Sequence, residues 1–167
     1  MHFRIEQNFA APIDDVLAAF TDPSYLATMG ELADLGTPVV EEQTRTPTTV
    51  SQRLRFAFSG RLPSAVTRVI DPSRLSWHEH TDVDLPKATG TFRMVPIHYP
   101  RFFTCSGGWT LTTVDATHTR RAIEGDLKVN SPVPFVGGKV ERAIVSGLTD
   151  RLAAEPAVFA RWYRPAE

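Results

Sequence analysis

Two polar residues stand where the alternation of the chain calls for apolar ones. In residues 50–59, Val50, Leu54, Phe56 and Phe58 share one face of an extended chain, and Ser51, Arg53 and Arg55 share the other. Period-two counting puts Gln52 with the apolar set, and in residues 74–83 it puts Glu79 with Trp77. A lone carboxyl on an apolar face is costly to ionise, so it must be paired, hydrogen-bonded or held neutral by a raised pKa. Such a group can anchor the polar end of a ligand or work as a general acid or base. The other reading is a strand that ends or bulges there and lets Glu79 reach water.

The remaining reactive residue types give weaker patterns. His78 and His80 share a strand face, and with His98 they suggest a metal site, but that face lies opposite Trp77 and no carboxylate or thiolate set has ligand spacing. No metal or other cofactor is expected. Gly137-Gly138-Lys139 lacks the glycine and the hydroxyl residue that a phosphate loop requires around it. The glycines read instead as a first helical turn that lies close to a sheet or leaves an opening beside it. Cys105 reads as a small core residue, since nothing marks a base for it. The adjacent pair Arg120-Arg121 reads as a solvated strand face, with an anion site as the alternative. No Ser/His/Asp arrangement has interpretable spacing.

Composition bounds what these residues can serve. The 167 residues are 42% hydrophobic and 22% charged, the balance of a globular chain. A net charge of −1 and a pI of about 6.5 argue against a nucleic-acid partner held through its phosphates. One cysteine excludes an internal disulfide. No apolar run approaches the roughly 18 residues of a membrane helix. The opening residues alternate like a strand rather than like a secretory signal, so the expected location is the cytoplasm. No repeat or linker divides the chain, which reads as one domain over 1–167.

The elements that position these residues follow from periodicity. Residues 2–9 read as a strand. Pro12 opens a short helix with Val16, Leu17 and Phe20 on its buried face, and Asp22-Pro23 caps and starts a second one carrying Tyr25, Leu26 and Met29. Period-two segments follow at 39–46, 50–59, 74–83, 89–96, 102–114 and 117–129, with 61–70 open between helix and strand and a hairpin connection at 115–116. A long helix starts at about Pro134. Val136, Val140, Ile144, Leu148 and Leu152 form its apolar stripe, and Pro156 is expected to kink or interrupt it. Antiparallel strands with the helices set apart in sequence predict an α+β fold, not a parallel α/β one.

The opening FRIEQNFAAPIDDVLAAFTDPSYL resembles the start of START-like (SRPBCC, Bet v 1-like) domains, the superfamily of polyketide cyclases and plant allergens. With it, EGDLKVNSPVPFVGGKVERAIVSGL is similar to the bacterial family called domain of unknown function 2505. The resemblance implies a helix-grip fold: a curved antiparallel sheet wraps the C-terminal helix and encloses a cavity for a hydrophobic small molecule, lipid or polyketide-like. If the apolar strand faces all point at that helix, the ligand-binding set is Phe56, Phe58, Trp77, Glu79, Phe92, Met94, Phe103, Trp109 and Leu111, closed by Val140, Ile144 and Leu148. The same residues can instead fill a core. Three functions stay open: a carrier of a hydrophobic molecule, a cyclase or dehydratase-type enzyme on an apolar substrate, and an interaction module with a filled core. The oligomeric state is not legible.

Overall fold

The fold is that of a computed structural model, which describes residues 1–61, 64–68, 71–101, 103–130 and 137–164. Strand β1 (His2–Phe9) buries Phe3, Ile5, Gln7 and Phe9 and exposes the residues between them. Helix α1 (Ile13–Ala19) starts directly after Pro12, and α2 (Pro23–Ala27) is capped by Asp22, whose carboxylate accepts from the Ser24 backbone N–H at 2.7 Å. A single 3-10 turn (Thr28–Glu31) extends α2.

Six strands follow: β2 (Val39–Arg45), β3 (Thr49–Ala57), β4 (Ser76–Asp84), β5 (Thr89–Pro96), β6 (Phe103–Asp115) and β7 (His118–Val129). A four-residue helix α3 (Ser64–Thr67) lies between β3 and β4. The seven strands form one antiparallel sheet in the order β1-β7-β6-β5-β4-β3-β2. The α+β helix-grip architecture is therefore as predicted, with α4 (Gly137–Trp162) as the one long helix. That helix packs chiefly on β1 and β7, and on the turn after α2.

The register aligns the inner face in rows. One row runs Leu54, Glu79, Met94, Cys105, Leu127 across β3, β4, β5, β6 and β7. The next runs Gln52, Thr81, Phe92, Gly107, Gly125 and on to Phe3 of β1. Glycine is required in that row. A Cβ at Gly107 would lie 2.1 Å from the Glu124 carbonyl oxygen, and one at Gly125 would lie 2.7 Å from the Phe3 ring. Two facing positions without side chains let the rings of Phe3 and Phe92 lie down on the strands.

Several readings are corrected. The β6–β7 turn is Ala116–Thr117, because Asp115 still pairs with His118. Pro156 does not interrupt α4, which runs through it. Gly138 is exposed, and a Cβ there would meet only Arg142 Nη1 at 3.8 Å, so close approach to the sheet is not what this glycine provides. Val69, Ile70, Phe102, Pro132, Pro134 and Val136, and the Val66 side chain, lie outside the described residues.

Candidate functional site

The inner face divides into two ends. At one end β1, the first half of β7, α2 and the C-terminal turns of α4 close on each other. Phe9 meets Phe20 and Phe159 edge-on at 5.6 and 5.2 Å, and Tyr25 meets Phe159 at 5.6 Å. A polar cluster sits inside this packing. Arg121 Nη1 donates to Glu155 Oε2 at 3.1 Å, Tyr25 OH donates to Glu155 Oε1 at 3.0 Å, and Gln7 Nε2 donates to Glu155 Oε2 at 2.8 Å. The Arg121 guanidinium lies 4.4 Å from the Phe20 ring centroid and 5.3 Å from that of Trp109. Burial, and then the neighbouring Glu155 carboxylate, hold the Tyr25 hydroxyl well above the phenol range, so it stays a donor.

The cluster also explains how α4 passes Pro156. Proline has no N–H, so the carbonyl four residues earlier, that of Leu152, loses its helical partner. Gln7 Nε2 donates to that carbonyl from β1. Sequence reasoning missed this cluster. Arg121 reads as solvated from its neighbours, yet its side chain is only 14% exposed. Parity is the available signal: Arg121 counts with Ile123 and Leu127, and Gln7 counts with Ile5 and Phe9.

The other end lies under β3, β4 and β5, away from β1 and β7, on which α4 chiefly packs. Trp77, Phe92, Met94 and Phe103, and Val140, Ile144 and Leu148 of α4, all touch the core but are only partly buried. Trp77, Ile144 and Leu148 are thus less covered than the sequence suggests. Phe56 is buried and stacks on Trp77, with centroids 5.6 Å apart and planes at 8°. Phe58 lies just beyond β3, half-buried, bridged to Leu35. Trp109 and Leu111 are packed into the closed end. Two polar groups of this half stand out. The Trp77 indole Nε1 is sealed from solvent and has no hydrogen-bond partner among the described residues. Glu79 does sit on the inner face, opposite Leu54 and Met94. Burial pushes its carboxyl up to about 7; nearby Arg121 opposes the rise, Glu155 adds to it, and a hydrogen bond from Thr81 lowers it.

Gln52, the other polar residue on this face, is satisfied: its Nε2 donates to the Phe20 carbonyl at 3.1 Å and its Oε1 accepts from Gln43 at 2.9 Å. Cys105 is buried in the Glu79 row, and burial lifts its thiol to about 12, so it is no nucleophile. His78 points to the outer face and pairs with Glu41 at 3.2 Å, and no three metal-ligating side chains converge among the described residues. That outer face holds an open, polar depression of about 620 Å³ beside Ser51, Arg53, His80 and Asp82. Its charges are largely answered from within, Arg53 by Glu41 and Glu42, and Asp82 by Ser51.

The family model described as Protein of unknown function (DUF2505) matches residues 4–163. The chain belongs to the DUF2505 family. Solved structures share the fold of this DUF2505 protein. It is similar to TTHA0849 from Thermus thermophilus, with TM-score 0.68 and 15% identity over 98% of this chain and 100% of that one. It is also similar to the ZhuI aromatase/cyclase from Streptomyces sp. R1128, with TM-score 0.63 and 15% identity over 96% of each chain. A norcoclaurine synthase from Thalictrum flavum aligns with TM-score 0.55 and 13% identity over 98% of this chain and 96% of that one. At these identities the likeness is one of fold. No curated protein matches the sequence of this DUF2505 member. None of its described helices is long and apolar enough to cross a membrane.

Proposed function

We propose that the chain, working as one domain over 1–167, binds a hydrophobic small molecule between the sheet and the first half of α4. The observation that carries this reading is the uneven cover of the inner face. Apolar side chains on the inner face of β4 and β5 stay partly exposed, whereas those under the last turns of α4 are sealed. Apolar surface left open on the core side of a sheet is stabilised when an apolar guest covers it. Trp77, Phe92, Met94 and Phe103 with Val140, Ile144 and Leu148 make the contact surface, Phe56 and Phe58 its margin, and Trp109 and Leu111 its closed floor. The ZhuI and norcoclaurine synthase folds, each named for chemistry on a small molecule, support the same placement.

Binding to the native state alone raises the melting temperature by mass action. A panel of fatty acids and polycyclic aromatic compounds should therefore contain molecules that raise it. Ile144→Trp should fill the space, remove that shift and leave the unliganded melting temperature near the wild-type value. A panel that never shifts melting overturns the reading in favour of an interaction module with a filled core.

A second reading, catalysis on the bound molecule, is favoured by Glu79. A carboxyl held at about 7 exchanges its proton readily at neutral pH, as a general acid or base must. Turnover of a bound ligand that disappears in Glu79→Gln while binding persists would establish it.

A further inference from the structure

Trp77 and Glu79 occupy successive inward positions of β4, and the Trp77 indole N–H has no partner among the described residues. The indole plane is fixed by its stack on Phe56, so its N–H has a set direction. It is closed off from solvent and lacks an acceptor among the described residues, a state that costs most of a hydrogen bond relative to water. Glu79 has Thr81 as a hydrogen-bond donor, while the nearby cation, Arg121, is committed to Glu155.

We infer that the guest of this site carries a neutral oxygen, a ketone carbonyl or a hydroxyl, on an otherwise apolar body, and that Trp77 and Glu79 hold that oxygen. The inference rests on the binding reading above and names the chemical class of its ligand. The alternatives fail on one group or the other. An ammonium head offers no lone pair to the indole N–H. A carboxylate head places a second negative charge beside Glu79 once that carboxyl ionises, and like charges in a low-dielectric site repel strongly. A neutral oxygen satisfies both residues. A carbonyl accepts from the indole and from protonated Glu79, whereas a hydroxyl accepts from the indole and donates to ionised Glu79. Phe92 and Met94 beside them supply the apolar wall.

Calorimetric titration at pH 7 with matched probes tests this: 2-acetylnaphthalene, 2-ethylnaphthalene and 2-(aminomethyl)naphthalene. The ketone should bind the wild-type chain about tenfold or more tighter than the hydrocarbon, the effect of one added buried hydrogen bond. The amine should bind more weakly than either. Trp77→Phe keeps the stack and removes the N–H, so the ratio of ketone to hydrocarbon affinity within that variant should shrink to within about threefold. If Trp77→Phe does not fold, Glu79→Gln and Glu79→Leu decide: Gln, still a neutral donor, should keep the preference, and Leu should reduce it. The inference is overturned if ketone and hydrocarbon bind alike, if the preference survives both Trp77→Phe and Glu79→Leu, or if the amine binds tightest. Hydrocarbon binding that Ile144→Trp removes, with no preference for the oxygen, sinks this inference and leaves the binding reading standing. Absence of binding by every probe sinks both.

Discussion

One helix covers both ends of the inner face, and it covers them differently. Over its last turns Phe159 is 1% exposed, against Phe9 at 0% and Tyr25 at 1%, and the one buried carboxylate there has three donors. Over its first turns Val140, Ile144 and Leu148 stay partly open, and the carboxyl beneath faces neighbours that are mostly apolar. The difference teaches where rigidity and room are located. The Glu155 cluster pins the far end of α4 to β1 and β7, and at the near end Glu141 accepts from the Val129 backbone N–H at 2.8 Å, so the helix is held along β7 and leaves β4 and β5 the less covered strands.

Breaking the pinned end should have the largest effect. Glu155→Ala leaves Arg121 and Gln7 buried without their acceptor, and removal of one partner of a buried ion pair costs about 3–5 kcal/mol. Urea unfolding should report a loss of that size. Arg121→Met combined with Glu155→Leu should recover much of it, because a well-packed apolar pair avoids the desolvation cost that the ions carry. A loss for Glu155→Ala below about 1 kcal/mol would mean that the cluster does not hold the helix.

The uncovered end is sharpened by its carboxyl. Glu79 has its pKa raised from 4.5 to about 7, so the fold favours the neutral form. Its stabilising contribution is therefore complete below pH 4.5 and is lost as pH rises through about 7. Glu79→Gln has no proton to lose. It should match the wild-type chain near pH 4.5, exceed its stability increasingly as pH rises through about 7, and hold a constant margin above that. The full shift corresponds to about 3 kcal/mol, and the partial exposure of Glu79 screens the cost, so the gain should stay under that figure. Unfolding midpoints at pH 5 and pH 8 measure it. An equal difference at both pH values would mean that Glu79 is solvated like an ordinary glutamate.

The two ends were not equally legible in the sequence. Strand and helix positions followed from local periodicity, and β5 was predicted to the residue as 89–96. Glu79 stood out because its parity disagreed with its polarity. The same test applied to Gln7 and Arg121 flags both, but Arg121 stands beside Arg120 as a charged pair, and there charge overrides position. Glu155 was beyond reach. Its role depends on Gln7, 148 residues away, and on the carbonyl that Pro156 leaves free, a tertiary repair that no spacing records. Pro156 itself reads as a break because local chemistry alone says so.

Ile144→Ala gives the smallest effect and tests the contrast most directly. A sealed large side chain such as Phe159 loses its transfer energy and leaves a cavity on truncation, together about 3–5 kcal/mol. Ile144 is only partly buried, so truncation removes less buried surface and opens little new cavity. Alanine is also the better helix former of the two, by a few tenths of a kcal/mol, which offsets part of the loss. The net cost should be about 1 kcal/mol, under the range of about 1.5–3 kcal/mol for fully burying an aliphatic side chain. Denaturant unfolding of Ile144→Ala and Phe159→Ala side by side reads the ratio. If Ile144→Ala costs as much as Phe159→Ala, α4 is seated as tightly over β4 and β5 as over β1, and the room assigned to a guest is already filled by side chains.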